Sequence, residues 1–150
     1  MKKVLCYALT LVVLLGVLPI FAGATENNEE IICFRDGSYA TVEITITESR
    51  ASGNKTGNKV YTYYNSDSVT QWEAVLSGTF TYTGSNASCT TSSMNVTIYD
   101  SSWYTISKSA SKSGNRATGS ATIGEKLNGV TVAKIPVNLT LSCDANGNLS

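Results

Sequence analysis

Histidine is absent from the 150-residue sequence, and only 15% of the residues are charged. A Ser-His-Asp or Cys-His hydrolase requires an imidazole base, so neither mechanism is available to this chain. A zinc site with histidine ligands is excluded for the same reason. Lysine and arginine form no cluster along the sequence. Nucleic acid and an anionic membrane surface therefore have no electrostatic basis as partners.

The carboxylates give no sign of the facing pair that glycosidases need, although two of them meeting in space stays an open alternative. Glu43 and Glu73 alternate with apolar residues, which is typical of solvent-facing strand positions. Asp67 and Asp100 lie in turn sequences, where such side chains cap backbone amides. Asp144 begins a run that resembles a calcium loop but lacks its glycine at the sixth position. We predict no catalytic residue, no metal and no cofactor.

The first 24 residues have the order of a secretory signal peptide. Lys2 and Lys3 precede an apolar run from Val4 to Phe21, and Ala22-Gly23-Ala24 follows as a small-residue cleavage box. Pro19 interrupts the run near its end, which favours cleavage over an uncleaved membrane anchor. Removal of these 24 of the 150 residues leaves 126, enough for one domain with its own core. We expect a secreted extracellular protein with no stable membrane anchoring after cleavage.

Alternation of apolar and polar residues dominates the rest of the chain. Between Thr41 and Thr47, the apolar Val42, Ile44 and Ile46 alternate with polar residues, as in a strand with one solvent-facing side. The same pattern recurs over residues 60–64, 70–82, 94–99, 103–109, 117–123 and 130–143. Turn residues at hairpin spacing separate these segments. The sequence predicts an all-β fold, an antiparallel β-sandwich of immunoglobulin-like type with about seven strands.

Two segments depart from this alternation. Residues 25–38 begin with a short acidic lead-in, and we expect a flexible N-terminal segment there, ahead of a β-sandwich domain over residues 39–150. Residues 49–59 hold turn-forming glycines and asparagines without apolar partners. We expect them to form a long loop.

Three cysteines remain after removal of the leader: Cys33, Cys89 and Cys143. Disulfides persist in the oxidising exterior that export implies. Cys89 and Cys143 lie at the ends of predicted strands and are the pair we favour. The residues leave open whether Cys33 takes one of these partners, stays free or links two chains.

Several motifs resemble a family of small secreted proteins from Gram-positive, often gut-dwelling, bacteria. They are TGNKVYTYYN at residues 56–65, Trp72, SGTFTYTGS at residues 77–85 leading to Cys89, SKSASKSGN at residues 107–115, and LTLSC at residues 139–143. The resemblance covers residues 56–150 and implies secretion, an all-β fold and a Cys89–Cys143 disulfide. It implies no activity, and Cys33 lies outside the shared pattern.

Aromatic residues are the remaining candidates for a site, since tyrosine and tryptophan combine a large apolar face with a polar tip. Alternation places Trp72 and Phe80 together on one strand face, and we expect them in the core. The candidate binding patch consists of Tyr61, Tyr63, Tyr64, Trp103 and Tyr104. We predict a non-catalytic extracellular binding or adhesion module for a glycan, protein or surface. A secreted effector, such as an inhibitor or a small toxin, is the alternative, and a hydrolase comes third.

Overall fold

The described part of the chain consists entirely of strands and turns. A computed structural model describes residues 29–50 and 53–150, without the side chains of residues 47–50, so the predicted leader lies outside the described residues. None of these residues forms a helix long and apolar enough to cross a membrane. The strands are β1 (Glu30–Cys33), β2 (Tyr39–Arg50), β3 (Asn54–Tyr64), β4 (Thr70–Tyr82), β5 (Ala87–Ile98), β6 (Trp103–Ser113), β7 (Arg116–Leu127) and β8 (Val130–Ser142).

These eight strands form two antiparallel sheets, which confirms the predicted all-β sandwich. One sheet has the order β1-β2-β3-β4-β5, and the other has the order β6-β7-β8. Within each sheet, every strand pairs with the strands directly before and after it in sequence, so each sheet is a meander. Immunoglobulin domains connect their two sheets through Greek-key crossings. The chain shares the layered architecture of those domains but has a simpler connectivity.

The N-terminal hairpins extend further than the sequence suggested. β1 lies within the segment that we expected to be flexible, and it pairs with β2 from Glu30–Val42 to Cys33–Tyr39. β2 and β3 pair as far as Arg50–Asn54, so most of the expected long loop is strand. A Cβ at Gly57 would overlap the Leu149 side chain. Gly57 was predicted to belong to a loop. It lies within β3 instead, where the lack of a side chain makes room for Leu149.

The core lies between the inner faces of the two sheets. Trp72, Leu76 and Phe80 of β4 have no exposed surface, so the inward face predicted for this strand is confirmed. Ile123 of β7 and Leu141 of β8 oppose them from the three-stranded sheet and are also fully buried. Burial of each such side chain contributes roughly 1.5–3 kcal/mol relative to leaving it exposed.

The two sheets approach too closely at Gly119 for a side chain to fit without adjustment. A Cβ there would lie 2.9 Å from Leu76 Cδ1 and 2.9 Å from Met94 Sδ. We expect Gly119→Ala to lower the free energy of unfolding by about 1–3 kcal/mol, because the added methyl group overpacks the core. Urea denaturation measures this change.

Thr118→Ser is the matched control, since Thr118 is exposed beside Gly119 and serine keeps the hydroxyl that pairs with Ser111. This variant should stay within about 0.5 kcal/mol of the wild type. Equal stability of the two variants would contradict the close packing at Gly119.

Candidate functional site

Three of the five residues of the predicted aromatic patch belong to the core. Tyr61 and Tyr63 stack on the indole of Trp72, with ring centroids 5.4 and 5.1 Å apart. Trp103 approaches Tyr63 edge-on at 5.2 Å from the other sheet. All four rings are buried, so Tyr61, Tyr63 and Trp103 cannot contact a partner from the surface. Tyr61 and Tyr63 are two residues apart in β3 and so share one face of the strand, and that face is the inner one.

The hydroxyl of Tyr63 begins a short hydrogen-bonded chain. It donates to Ser38 Oγ at 2.9 Å, and Ser38 donates to the Asp36 carboxylate through its hydroxyl at 2.6 Å. Hydrogen bonds from the Ser38 side chain and backbone lower the pKa of Asp36. Burial raises the pKa of Tyr63, and its hydrogen bond with Ser38 opposes that shift. This series of hydrogen bonds links the β1–β2 turn to the aromatic core. The Tyr63 hydroxyl therefore has a structural role.

The other two residues of the predicted patch lie on the outer faces of different sheets. Tyr64 stacks on Tyr39 at 4.7 Å between ring centroids, on the outer face of the five-stranded sheet. Tyr104 lies on the outer face of the three-stranded sheet, opposite Gly124. The structure therefore does not bring the five predicted residues together, and the partly exposed Tyr64 and Tyr104 are separate candidates.

Tyr104 is fixed in place by contacts along its whole side chain. Its ring covers Gly124, where a Cβ would lie 2.7 Å from Cε1 and Cζ of the tyrosine. Its hydroxyl shares a 2.6 Å hydrogen bond with Thr131 Oγ1, and Lys126 Nζ lies 4.1 Å from the ring centroid. Only a glycine at position 124 permits the ring to lie this close to β7. The strand sequence thus builds an ordered aromatic surface beside a cation.

A polar surface extends from Tyr104 along the same outer face. Its side chains alternate with core residues such as Ala117, Ala121 and Leu139, and they point away from the five-stranded sheet. We call this surface the hydroxyl face, and it consists of Ser107, Ser109, Ser111, Thr118, Ser120, Thr122, Asn138 and Thr140.

Cross-strand hydroxyl pairs order the middle of the hydroxyl face. Ser109 and Ser120 are 2.8 Å apart at their oxygens, and Ser111 and Thr118 are 2.7 Å apart. The Ser109–Ser120 pair uses one donor and keeps a second hydroxyl hydrogen and further lone pairs for a ligand, whereas Thr118 Oγ1 also donates to Ser111 O at 3.4 Å. The face forms a shallow depression of about 410 Å³. The Ser/Thr alternation within β6 and within β7 was visible in the sequence. The register between the two strands, which places these side chains beside one another, was not.

The β7–β8 hairpin carries exposed aliphatic side chains. Leu127, Val130 and Val132 are 63%, 66% and 54% exposed. Asn128 and Gly129 have φ angles of 52° and 80°, as the turn of a tight hairpin requires. The hairpin continues beyond Glu125, the residue that pairs with the first position of β6. Its apolar tip is a functional candidate that the sequence did not reveal, since alternation placed Val130 and Val132 in a strand and left Leu127 outside one.

Cys89 and Cys143 are buried free thiols, so the disulfide predicted between them is not formed in this structure. Each thiol instead donates a hydrogen bond locally: Cys89 Sγ to Thr91 O at 3.2 Å, and Cys143 Sγ to Asp144 O at 3.5 Å. Burial raises the pKa of both thiols. Their backbones contact one turn, because Cys89 N donates to Gly114 O and Cys143 N donates to Asn115 O.

The Asp144 carboxylate, considered above as the start of a calcium loop, is used within its own turn. It accepts hydrogen bonds from the backbone amides of Asn146 and Asn148 and from the Asn148 side chain, all within 2.7–2.8 Å. The Asn148 side chain, followed by these amides, lowers the pKa of Asp144. Across residues 29–50 and 53–150, no three histidine, cysteine or acidic side chains form a group that could hold a metal ion.

Protein-family models, curated proteins and solved structures contain no match to this chain. The chemistry of its surface therefore carries the functional assignment by itself.

Ionisation of Tyr61 links folding stability to alkaline pH. Burial raises the pKa of Tyr61 to about 12, whereas the ordinary value is 10.0. Between these values the unfolded chain loses this proton and the folded chain keeps it. Its contribution to stability is therefore complete below about pH 10 and declines as the pH rises toward about 12.

Tyr61→Phe should reduce this alkaline decline, measured as the free energy of unfolding in urea at about pH 9 and about pH 11. Tyr99→Phe serves as the control, since Tyr99 is 58% exposed and its removal should leave the decline unchanged. A Tyr61→Phe protein that declines as steeply as the wild type would refute the link to Tyr61 ionisation.

Proposed function

We propose that the protein is a secreted, non-catalytic binding module that contacts an extracellular partner with Tyr104 and the hydroxyl face. The observation that carries this proposal is the fixed Tyr104 side chain, which covers Gly124 and hydrogen-bonds to Thr131 on an open sheet surface. A tyrosine already ordered in the free protein loses little conformational entropy on binding. Tyrosine also provides a large apolar contact area with a polar tip.

Secretion belongs to the same proposal and is supported by the signal-peptide pattern of residues 1–24. Export would expose Cys89 and Cys143 to an oxidising medium. We include a disulfide between them, because both residues hydrogen-bond to the β6–β7 turn and both belong to one core cluster. Its formation transfers two electrons and two protons from the thiols to an external disulfide such as oxidised glutathione. The bond would join the two sheets.

The test of this pairing is peptide mapping of protein secreted into an oxidising medium. We expect one non-reduced peptide pair that contains Cys89 and Cys143. Reduction should lower the free energy of unfolding by roughly 4 kcal/mol, the chain-entropy value for a loop of this length. Alkylation of both residues without prior reduction would refute the disulfide.

Binding can be tested by glycan-array and pull-down screens with the wild type, Tyr104→Ala and Tyr99→Ala. We expect Tyr104→Ala to weaken binding at least about tenfold, in the range of a buried aromatic contact. Tyr99→Ala should bind as the wild type does, because Tyr99 is exposed but lies outside the hydroxyl face. Urea denaturation of each variant separates a binding defect from a folding defect. Absence of any bound partner, or equal binding by Tyr104→Ala, would refute the proposed site.

A second candidate function is a secreted inhibitor that inserts the β7–β8 hairpin into a cleft of a target protein. The exposed Leu127 and Val130 at its tip favour this alternative. Leu127→Ser would then abolish binding to the target, whereas Tyr104→Ala would leave a hairpin contact intact. The same pull-down screen therefore distinguishes the two candidates.

A further inference from the structure

We infer that the partner of this surface is an acidic polysaccharide, with a carboxylated sugar at Tyr104 and the following sugars along the hydroxyl face. This inference rests on the proposed binding function and specifies its ligand. It is carried by the charges around Tyr104, by the balance of donors and acceptors on the hydroxyl face, and by the shape of that face.

Two cations flank Tyr104 on the outer face. Tyr104, Gly124 and Lys134 occupy one row across the three strands, because Gly124 pairs with both of the other residues. Lys126 lies in the next row, opposite Thr131, with its ammonium over the tyrosine ring. Lys126 and Lys134 are both exposed. A negatively charged group beside the ring would therefore meet two ammonium groups.

No side-chain carboxylate among the described residues competes for these cations on the same face. Glu125 pairs with Trp103 and Ala133, so its side chain points toward the inner side of the sheet. The outward positions of β6, β7 and β8 otherwise hold hydroxyl, amide, proline, glycine or cationic residues, and the apolar Ile106 lies beside Gly124. At the far end, Arg116 is a single cation opposite Ser142, whereas the Tyr104 end has two cations. The Tyr104 end therefore defines the anionic subsite.

The hydroxyl face suits a sugar chain better than a peptide or a nucleic acid. Its serine, threonine and asparagine side chains both donate and accept hydrogen bonds, as sugar hydroxyls also do. The face lacks the apolar pockets that hold peptide side chains, and it lacks the row of cations that a phosphate backbone requires. Together with the Tyr104 end, it spans Thr118 to Lys126, about 26 Å along β7 at roughly 3.3 Å per residue. It is therefore a shallow track for an extended polymer.

The net charge of the chain gives no indication of this subsite. The sequence has equal numbers of basic and acidic residues, and its cations are spread along the chain. Lys126 and Lys134 come together because the β7–β8 hairpin folds residues of adjacent strands beside each other. The surface is locally cationic on a protein without overall positive charge.

Affinity electrophoresis tests this inference in gels that contain polygalacturonate. Gels that contain fully methyl-esterified polygalacturonate are the uncharged control. We expect retardation of the wild type by the acid form alone. Lys126→Ser/Lys134→Ser should weaken this retardation about tenfold, since each exposed ion pair contributes a modest amount. Added salt should weaken wild-type binding, because it screens exposed charges.

Lys108→Ser/Lys112→Ser is the matched control, because it removes the same net charge from the opposite side of β6. Lys108 and Lys112 pair with the inward-facing Ala121 and Ala117, and both are exposed. This variant should be retarded as the wild type is. Equal weakening by both double variants would overturn the inference, since binding would then reflect net charge alone. Urea denaturation confirms that each variant is folded.

Two further results would overturn the acidic ligand and leave the binding module standing. One is equal retardation by the acid and the methyl ester. The other is no retardation by either polymer, while the glycan-array or pull-down screen finds a partner that depends on Tyr104. If no screen finds a partner that depends on Tyr104, the proposed function fails together with this inference.

Discussion

Stacking of aromatic rings around Trp72 is the interaction on which the rest of this sandwich depends. Tyr61 and Tyr63 of β3 stack on this indole, and Trp103 contacts it from the other sheet at 6.1 Å between centroids. The indole nitrogen of Trp72 is buried without a hydrogen-bond partner, so ring packing rather than polar contact holds it there. Such a core joins the two sheets at one end.

Local pattern predicted the strands well, because alternation depends only on which residues are apolar. β4 was predicted with the bounds that the structure gives it, Thr70–Tyr82. The strand that runs through Gly57 was missed, because a glycine required for close packing beside Leu149 has the same local signature as a turn. β1 was missed because four residues give too short a pattern to distinguish from an irregular segment.

The candidate site was only partly predictable, because it depends on register between strands. The sequence identified Tyr104 but grouped it with Tyr61, Tyr63 and Trp103, which are buried. Clusters of aromatic residues in a sequence are ambiguous, since a core and a binding surface both use them. The contribution of Gly124 and Lys134 required the pairing of three strands, which no pattern within one strand contains.

The meander connectivity has a consequence for how the chain acquires its structure. Every paired strand is paired with the strand directly before or after it in sequence, so each hairpin can form as soon as its second strand is available. Closing short loops costs less entropy than closing the long connections of a Greek key. The folding nucleus would thus be free to grow from one hairpin to the next along the chain, and few unpaired strand edges would wait for a distant partner.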